Sequence, residues 1–242
     1  MKLSIIIPAY NEEKGIAKAL QEIDKYTKQQ NYEYEIIVVN DGSKDRTAEV
    51  VQKMMPQIKG LRLIDNTKNH GKGFVVKQGL LEAKGEIRLF TDADNSTSID
   101  QVEKMWPEFE NGYDIVIGSR DVKGATLEPP QPWYRRILGN VFNLFVQTSL
   151  GLWGIWDTQC GFKALNKDSV QNVLPKCKID RWAFDPEILA LAKKQGFKIK
   201  EVPVHWINRA QSRVKLFGPN SMITMLREIL QIKWWLITKK YK

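Results

Sequence analysis

The sequence predicts an α/β fold: a mostly parallel, open sheet with helices on its faces. Three observations carry this. Strand-like runs alternate with helical periods over the first 120 residues, the runs are apolar on both faces, and several end in turns rich in acidic or polar residues. Residues 3–8 (LSIIIP) form a continuous apolar run, as a strand covered on both sides should. Residues 12–30 follow with helical spacing, with Ile16, Ala19, Leu20 and Ile23 on one face. Residues 34–39 (YEIIVV) form the second strand, and Ser43 or Asp45 stands ready to cap a helix over 46–55. A short strand at 61–64, a helix at 72–83 entered through Gly71, a strand at 86–91, a helix at 99–109 and a strand at 114–118 complete the alternation. Sheets of this kind bind ligands beyond the carboxyl ends of their strands.

The second half reads differently. Residues 137–156 carry no charge but include Asn140, Asn143, Gln147 and three glycines, which suits a buried or interfacial helix better than a membrane span. A short strand–helix region, a helix near 185–194, a strand at 198–205 and a final helix at 221–239 follow. The loop 124–132, with Pro129, Pro130 and Pro132, reads as irregular surface.

Composition narrows the function. Of the 242 residues, 43% are hydrophobic and 27% charged, which excludes a disordered chain or a disulfide scaffold. Cys160 and Cys177 match no metal-ligand spacing and read as reduced thiols of a cytoplasmic protein. No run of about 18 apolar residues predicts a membrane span, and the N-terminus enters a strand directly rather than reading as a signal peptide. The net charge of +9 is uneven. Residues 193–242 hold 12 basic and 2 acidic side chains, against 25 and 26 in residues 1–192. A basic end of this kind implies an anionic partner.

The strand ends carry the chemistry. The first ends in PAYNEE, with no G-x-G-x-x-G, which excludes the usual dinucleotide fingerprint. The second ends in VVNDGSKD, where Asp41 can bond a base or ribose hydroxyl and Gly42 permits the tight turn, although an N-D-G is also a plain turn. The fourth ends in TDAD. On extended chain Asp92 and Asp94 point the same way, and two such carboxylates favour a cation between them, Mg2+ or Mn2+ for oxygen ligands. His70 and His205 stand far apart with no Cys/His cluster and read as structural. Asp41, Asp92 and Asp94 gathered in one crevice would repel a phosphate backbone, so no nucleic-acid partner is expected.

PAYNEE, VVNDGSKDRT, the DAD after FT, VIGSR (116–120), DTQCGFK (157–163) and RWAFD (181–185) together resemble the inverting family 2 glycosyltransferases of the GT-A fold, over about residues 3–235. The last two motifs resemble the dolichyl-phosphate β-glucosyltransferase branch, related to dolichyl-phosphate mannose synthases. The resemblance implies a nucleotide-sugar site at Pro8, Ala9, Tyr10, Glu12, Asp41, Gly42, Lys72, Asp92, Ala93 and Asp94, with Asp92 and Asp94 as metal ligands. Ser96 stands where mannose synthases often carry a glutamine, which favours the glucosyl reading. An acceptor phosphate needs a cationic clamp, for which Arg120, Arg135, Arg136 and Arg213 are the candidates. Asp157 and Asp185 either orient the acceptor, act as base, or serve as structural turn residues. The catalytic set is thus Asp92, Asp94, Arg120, Asp157 and Asp185. The implied reaction is metal-dependent, inverting transfer of glucose from UDP-glucose to a polyprenyl phosphate, the alternatives being GDP-mannose or a glycan acceptor. The expected layout is a GT-A domain over 1–218, with a nucleotide half at 1–120 and an acceptor half at 121–218. A basic amphipathic helix over 219–242 is expected to rest on the cytoplasmic face of a membrane.

Overall fold

The computed structural model describes residues 2–207 and 219–241; Arg213 lies outside them. Strands β1 (Leu3–Ala9), β2 (Tyr34–Asp41), β3 (Leu61–Asn66), β4 (Ile87–Thr91), β5 (Ile115–Ser119), β7 (Phe162–Asn166) and β8 (Ile199–Pro203) form one sheet in the order β3-β2-β1-β4-β7-β5-β8. All pairings are parallel except those of β7, which runs antiparallel between β4 and β5. A second, two-stranded sheet joins β6 (Thr126–Glu128) to β9 (His205–Ile207). The mostly parallel sheet is as expected. The reversed β7 is not visible in local pattern, because strand order depends on how the chain returns rather than on any one segment.

The sheet is buried on both faces. One core cluster holds Ile6, Phe90, Ile117 and Leu165 with the helices α3 (Lys72–Glu82) and α7 (Phe184–Lys194). The other holds Leu3, Ile5, Ile7 and Leu89 against α1 (Ile16–Thr27) and α2 (Thr47–Met54). The order β3-β2-β1-β4 reverses direction of growth between β1 and β4, and this switch point opens a crevice at their carboxyl ends.

Several boundaries differ from the sequence reading for local reasons. α1 starts at Ile16, not residue 12, because the PAYNEE loop is bound to the loop after β2. The Asn11 amide donates to Ser43 Oγ and the Glu12 amide to Thr47 Oγ1, both at 2.8 Å. The helix expected at 99–109 divides into a 3-10 turn (Ile99–Lys104) and α4 (Trp106–Glu110), with Pro107 at the start of α4. The strand expected at 198–205 breaks at Val204 into β8 and β9. The loop expected at 124–132 contains β6.

Two long helices complete the fold. α5 (Trp133–Leu150) ends at Gly151, whose φ of +70° makes the left-handed turn that closes the helix. α6 (Lys167–Val173) follows β7. α8 (Pro219–Ile237) gives Met225, Ile229 and Ile232 to the domain's core and packs beside α5 and α7. Its opposite face leaves Ile223, Leu230, Trp234 and Ile237 exposed. Cys160 and Cys177 are buried free thiols.

Candidate active site

The crevice is lined by the motifs at the ends of β1, β2 and β4. Pro8 and Ala9 are buried at the end of β1, Tyr10 beyond them is 41% exposed, and Glu12 is half-buried. Gly42, with φ +65°, turns the chain against the backbone of Lys68, where a Cβ would lie 2.5 Å from a carbonyl carbon. The turn aims Asp41 at the loop before α3. One oxygen takes the His70 amide at 2.7 Å, and the other takes the Asn69 side chain and the Gly71 amide. Asp41 therefore fixes the entrance to α3, and with it Lys72.

Lys72 meets the carboxylates of the DAD turn. Its Nζ donates to Asp92 Oδ1 at 2.6 Å, with 27% and 24% of the two side chains exposed. β4 ends at Thr91, so extended-chain alternation does not place Asp94. A turn does: the Asn95 amide bonds the Asp92 carbonyl, and Asn95 adopts φ +50°. Asp94 stays close enough to feel Asp92. Burial, then the Asp92 charge, raises its pKa above the ordinary carboxylate value. Burial works against the Lys72 ammonium, but the charges of Asp92, Asp185 and Asp94 override it and raise its pKa, so Lys72 is a cation at neutral pH.

A second buried pair stands behind the first. Lys163, on β7 opposite Phe90, is fully buried. Its Nζ donates to Asp185 Oδ1 at 2.5 Å and to the Cys160 carbonyl. Asp185 lies in the first turn of α7, where burial raises its pKa against the pull of Lys163 and Lys72. Lys72, Lys163, Asp92, Asp94 and Asp185 are thus one cluster of two ammonium groups and three carboxylates. Lys163 is the residue that the sequence reading missed. The available signal was a lysine between Phe162 and Ala164 in the strand FKALN, since a charge between apolar neighbours requires a partner. Gly161 completes the fit: a Cβ at this position would lie 2.1 Å from Asp92 Oδ2, so any other residue here would displace the Asp92 carboxylate.

The arginine and Asp157 sit to one side. Arg120, just after β5, donates from Nε to Asp157 Oδ2 at 2.7 Å and from Nη2 to Oδ1 at 2.9 Å. Its guanidinium lies 4.9 Å from the Trp206 ring centroid. Burial works against the Asp157 carboxylate, but Arg120 outweighs it and holds the pKa below the usual value. Stability from this pair is therefore present above the unfolded carboxylate pKa and lost only as pH falls through the lowered one. Glu201 takes the amides of Trp156 and Asp157, so the Asp157 loop is held from both ends. Asp157 is occupied as an anchor, while Arg120 keeps three of its five N–H donors. Arg136 is exposed in the first turn of α5, and both arginines act on Asp121. Arg135 is in the same turn, its side chain outside those described.

This is the GT-A fold. The Glycosyl transferase family 2 profile matches residues 4–174, and the chain belongs to that family. A dolichyl-phosphate beta-glucosyltransferase of Trichomonas vaginalis is 38% identical, covering 95% of this chain and 70% of the relative. The enzyme of the same name in Homo sapiens is 32% identical, covering 100% and 78%. Among solved structures, glucosyl-3-phosphoglycerate synthase from Mycobacterium tuberculosis in complex with Mn2+, uridine diphosphate and phosphoglyceric acid superposes with a TM-score of 0.68 at 16% identity, covering 96% of this chain and 76% of that one.

The buried pair generates a stability prediction. Lys163→Met leaves Asp185 uncompensated and lowers the unfolding free energy by about 3–5 kcal/mol. The double variant Lys163→Met/Asp185→Asn recovers part of that loss, as read by urea denaturation of the four members of the cycle.

Proposed function

We propose that the protein transfers glucose from UDP-glucose to a polyprenyl phosphate of the dolichyl type, with inversion at the anomeric carbon. The observation that carries this reading is identity of 32–38% to dolichyl-phosphate beta-glucosyltransferases over nearly the whole chain. In the reaction a phosphate oxygen of the acceptor forms a bond to the anomeric carbon as the bond from that carbon to the diphosphate breaks, and UDP leaves. The acceptor oxygen is already ionised at neutral pH, so no proton has to be removed. The chemistry asks instead for two anionic groups to be held close together.

The residues of the crevice suit that task. The Lys72 ammonium has one donor on Asp92 and two left to meet the departing diphosphate. The three remaining N–H groups of Arg120, with Arg136 nearby, suit the acceptor phosphate. Asp185, tied to Lys163, orients the cluster rather than acting as base.

A divalent cation fits the carboxylates. Asp92 Oδ2 and the Asp94 oxygen not bonded to the Ser96 amide would meet an oxygen-preferring ion, which would relieve the Asp92 repulsion that adds to burial in raising the Asp94 pKa. Among the described residues no group of three His, Cys, Asp or Glu side chains forms a metal site by itself; Asp92 and Asp94 would hold the ion together with the donor diphosphate. When bound, the ion supplies further neutralisation of the leaving group.

The acceptor also implies a lipid surface. Among the described residues no helix is long and apolar enough to cross a membrane. α5 nevertheless exposes Trp133, Ile137, Val141 and Leu144 at helical spacing, and α8, which packs on α5, exposes Trp234. This stripe suits a peripheral footing in the headgroup region.

Two measurements test the reading. With Mg2+ or Mn2+ present, mass detection of the lipid product is expected with UDP-glucose and not with GDP-mannose, and Asp94→Asn is expected to lower transfer by on the order of 100-fold. Wild-type turnover in the variant contradicts the site assignment. Sedimentation with anionic vesicles is expected to bring down the wild-type protein at low salt and less of it at high salt. The pair Val141→Ser/Trp234→Ser is expected to weaken binding at both, and no change on substitution removes the stripe from the account.

A further inference from the structure

Between α8 and Lys72 lies a segment that leads into the RWAFD motif. Residues 178–183 run into α7 and are gripped from two sides. Glu187, fully buried, accepts the amides of Lys178 and Ile179, both at 2.9 Å. It is steadied in turn by the Tyr241 hydroxyl at 2.6 Å. At the other end Ala183 begins α7 with no capping side chain of its own. The missing cap comes from α8: Glu228 Oε2 accepts the Ala183 amide at 2.9 Å, and its carboxylate also takes the Trp182 amide.

The same segment is the wall against which Lys72 is set. The Gly73 amide donates to the Arg181 carbonyl at 3.2 Å and the Phe74 amide to the Asp180 carbonyl at 3.0 Å. A Cβ on Gly71 would lie 2.5 Å from the Asp180 carbonyl oxygen, and one on Gly73 2.6 Å from Phe184 Cβ. The contact between the two segments is therefore too tight to shift on one side alone. Asp185 follows two residues after Ala183 and carries the same placement into the second ion pair.

We propose that Glu228 is a positioning residue for glucosyl transfer: capping the start of α7 from α8, it sets the wall that places Lys72 and Asp185. This rests on the glucosyl-transfer reading above. Glu228 touches neither donor nor acceptor. It acts through residues 180–184, and it makes the seating of α8 a condition for the geometry of the charge cluster. The helix whose outer face carries Ile223, Leu230 and Trp234 is thereby joined to Lys72 through the Glu228 carboxylate on the Ala183 amide and the backbone bonds of Gly73 and Phe74.

The test compares Glu228→Ala and Glu228→Gln with Ile229→Val, a neighbouring core substitution on α8 that leaves the cap intact, in the full-length protein. Melting temperature, transfer kinetics and calorimetric titration with UDP are measured for each. Glu228→Ala is expected to lower kcat for transfer to a short polyprenyl phosphate by about 10- to 100-fold, the scale of a misplaced reacting group, with the KM for the acceptor unchanged. Glu228→Gln, which keeps an acceptor oxygen, is expected to fall between it and the wild type, and it decides the matter if the alanine variant does not fold. Ile229→Val is expected to lose melting temperature without losing kcat. If the Glu228 variants lose no more kcat than Ile229→Val does, the cap is merely structural and the proposal is overturned. Wild-type protein that binds UDP but transfers no glucose would count against the glucosyl-transfer reading instead.

Discussion

Lys72 stands where three carboxylates converge, and most of the fold is arranged so that this charge can be kept there. Desolvation opposes the ammonium, and Asp92, Asp94 and Asp185 together more than offset it. The carboxylates come from two elements: the DAD turn after β4 supplies two, and the first turn of α7 the third. Asp185 is itself shared with Lys163 on β7. A buried cluster of this kind contributes little net stability, because desolvation consumes most of the Coulomb attraction. What it provides is definition, since removing any member leaves another charge uncompensated.

The topology follows from that need. The crevice opens at the switch between β1 and β4, and the reversed β7 beside β4 brings a lysine under the crevice floor. Asp41 does not wait for a ligand with empty oxygens; it secures the loop from which Lys72 emerges. The Arg120–Asp157 pair shows the same arrangement to one side, where one carboxylate fixes a guanidinium through two of its five N–H donors. Rigid supports behind a few exposed donors are what electrostatic catalysis of a charged leaving group requires.

Much of this could be read from residues alone. The apolar runs marked the sheet, the strand ends named Asp41, Asp92, Asp94 and Arg120, and the resemblance to the family added Lys72, Asp157 and Asp185. The partnerships were harder to see, because a pairing such as Lys72 with Asp92 or Lys163 with Asp185 joins residues about 20 apart through tertiary packing. Period-2 reasoning put Asp94 beside Asp92 by a route the chain does not take, since the strand stops at Thr91. Glu228 was invisible for a different reason. On a helical wheel it falls among ordinary polar positions, and only the position of α7 gives its carboxylate two amides to cap.

The central claim is that the Lys72 cation receives the nucleotide's diphosphate. Calorimetric titration of UDP into wild-type protein and Lys72→Met, under one buffer and one metal concentration, tests it most directly. The account predicts that the variant folds and binds UDP about 10- to 100-fold more weakly, the scale of one hydrogen bond to a charged group. Equal affinity in the two proteins would contradict it and leave Lys72 a purely structural partner of Asp92.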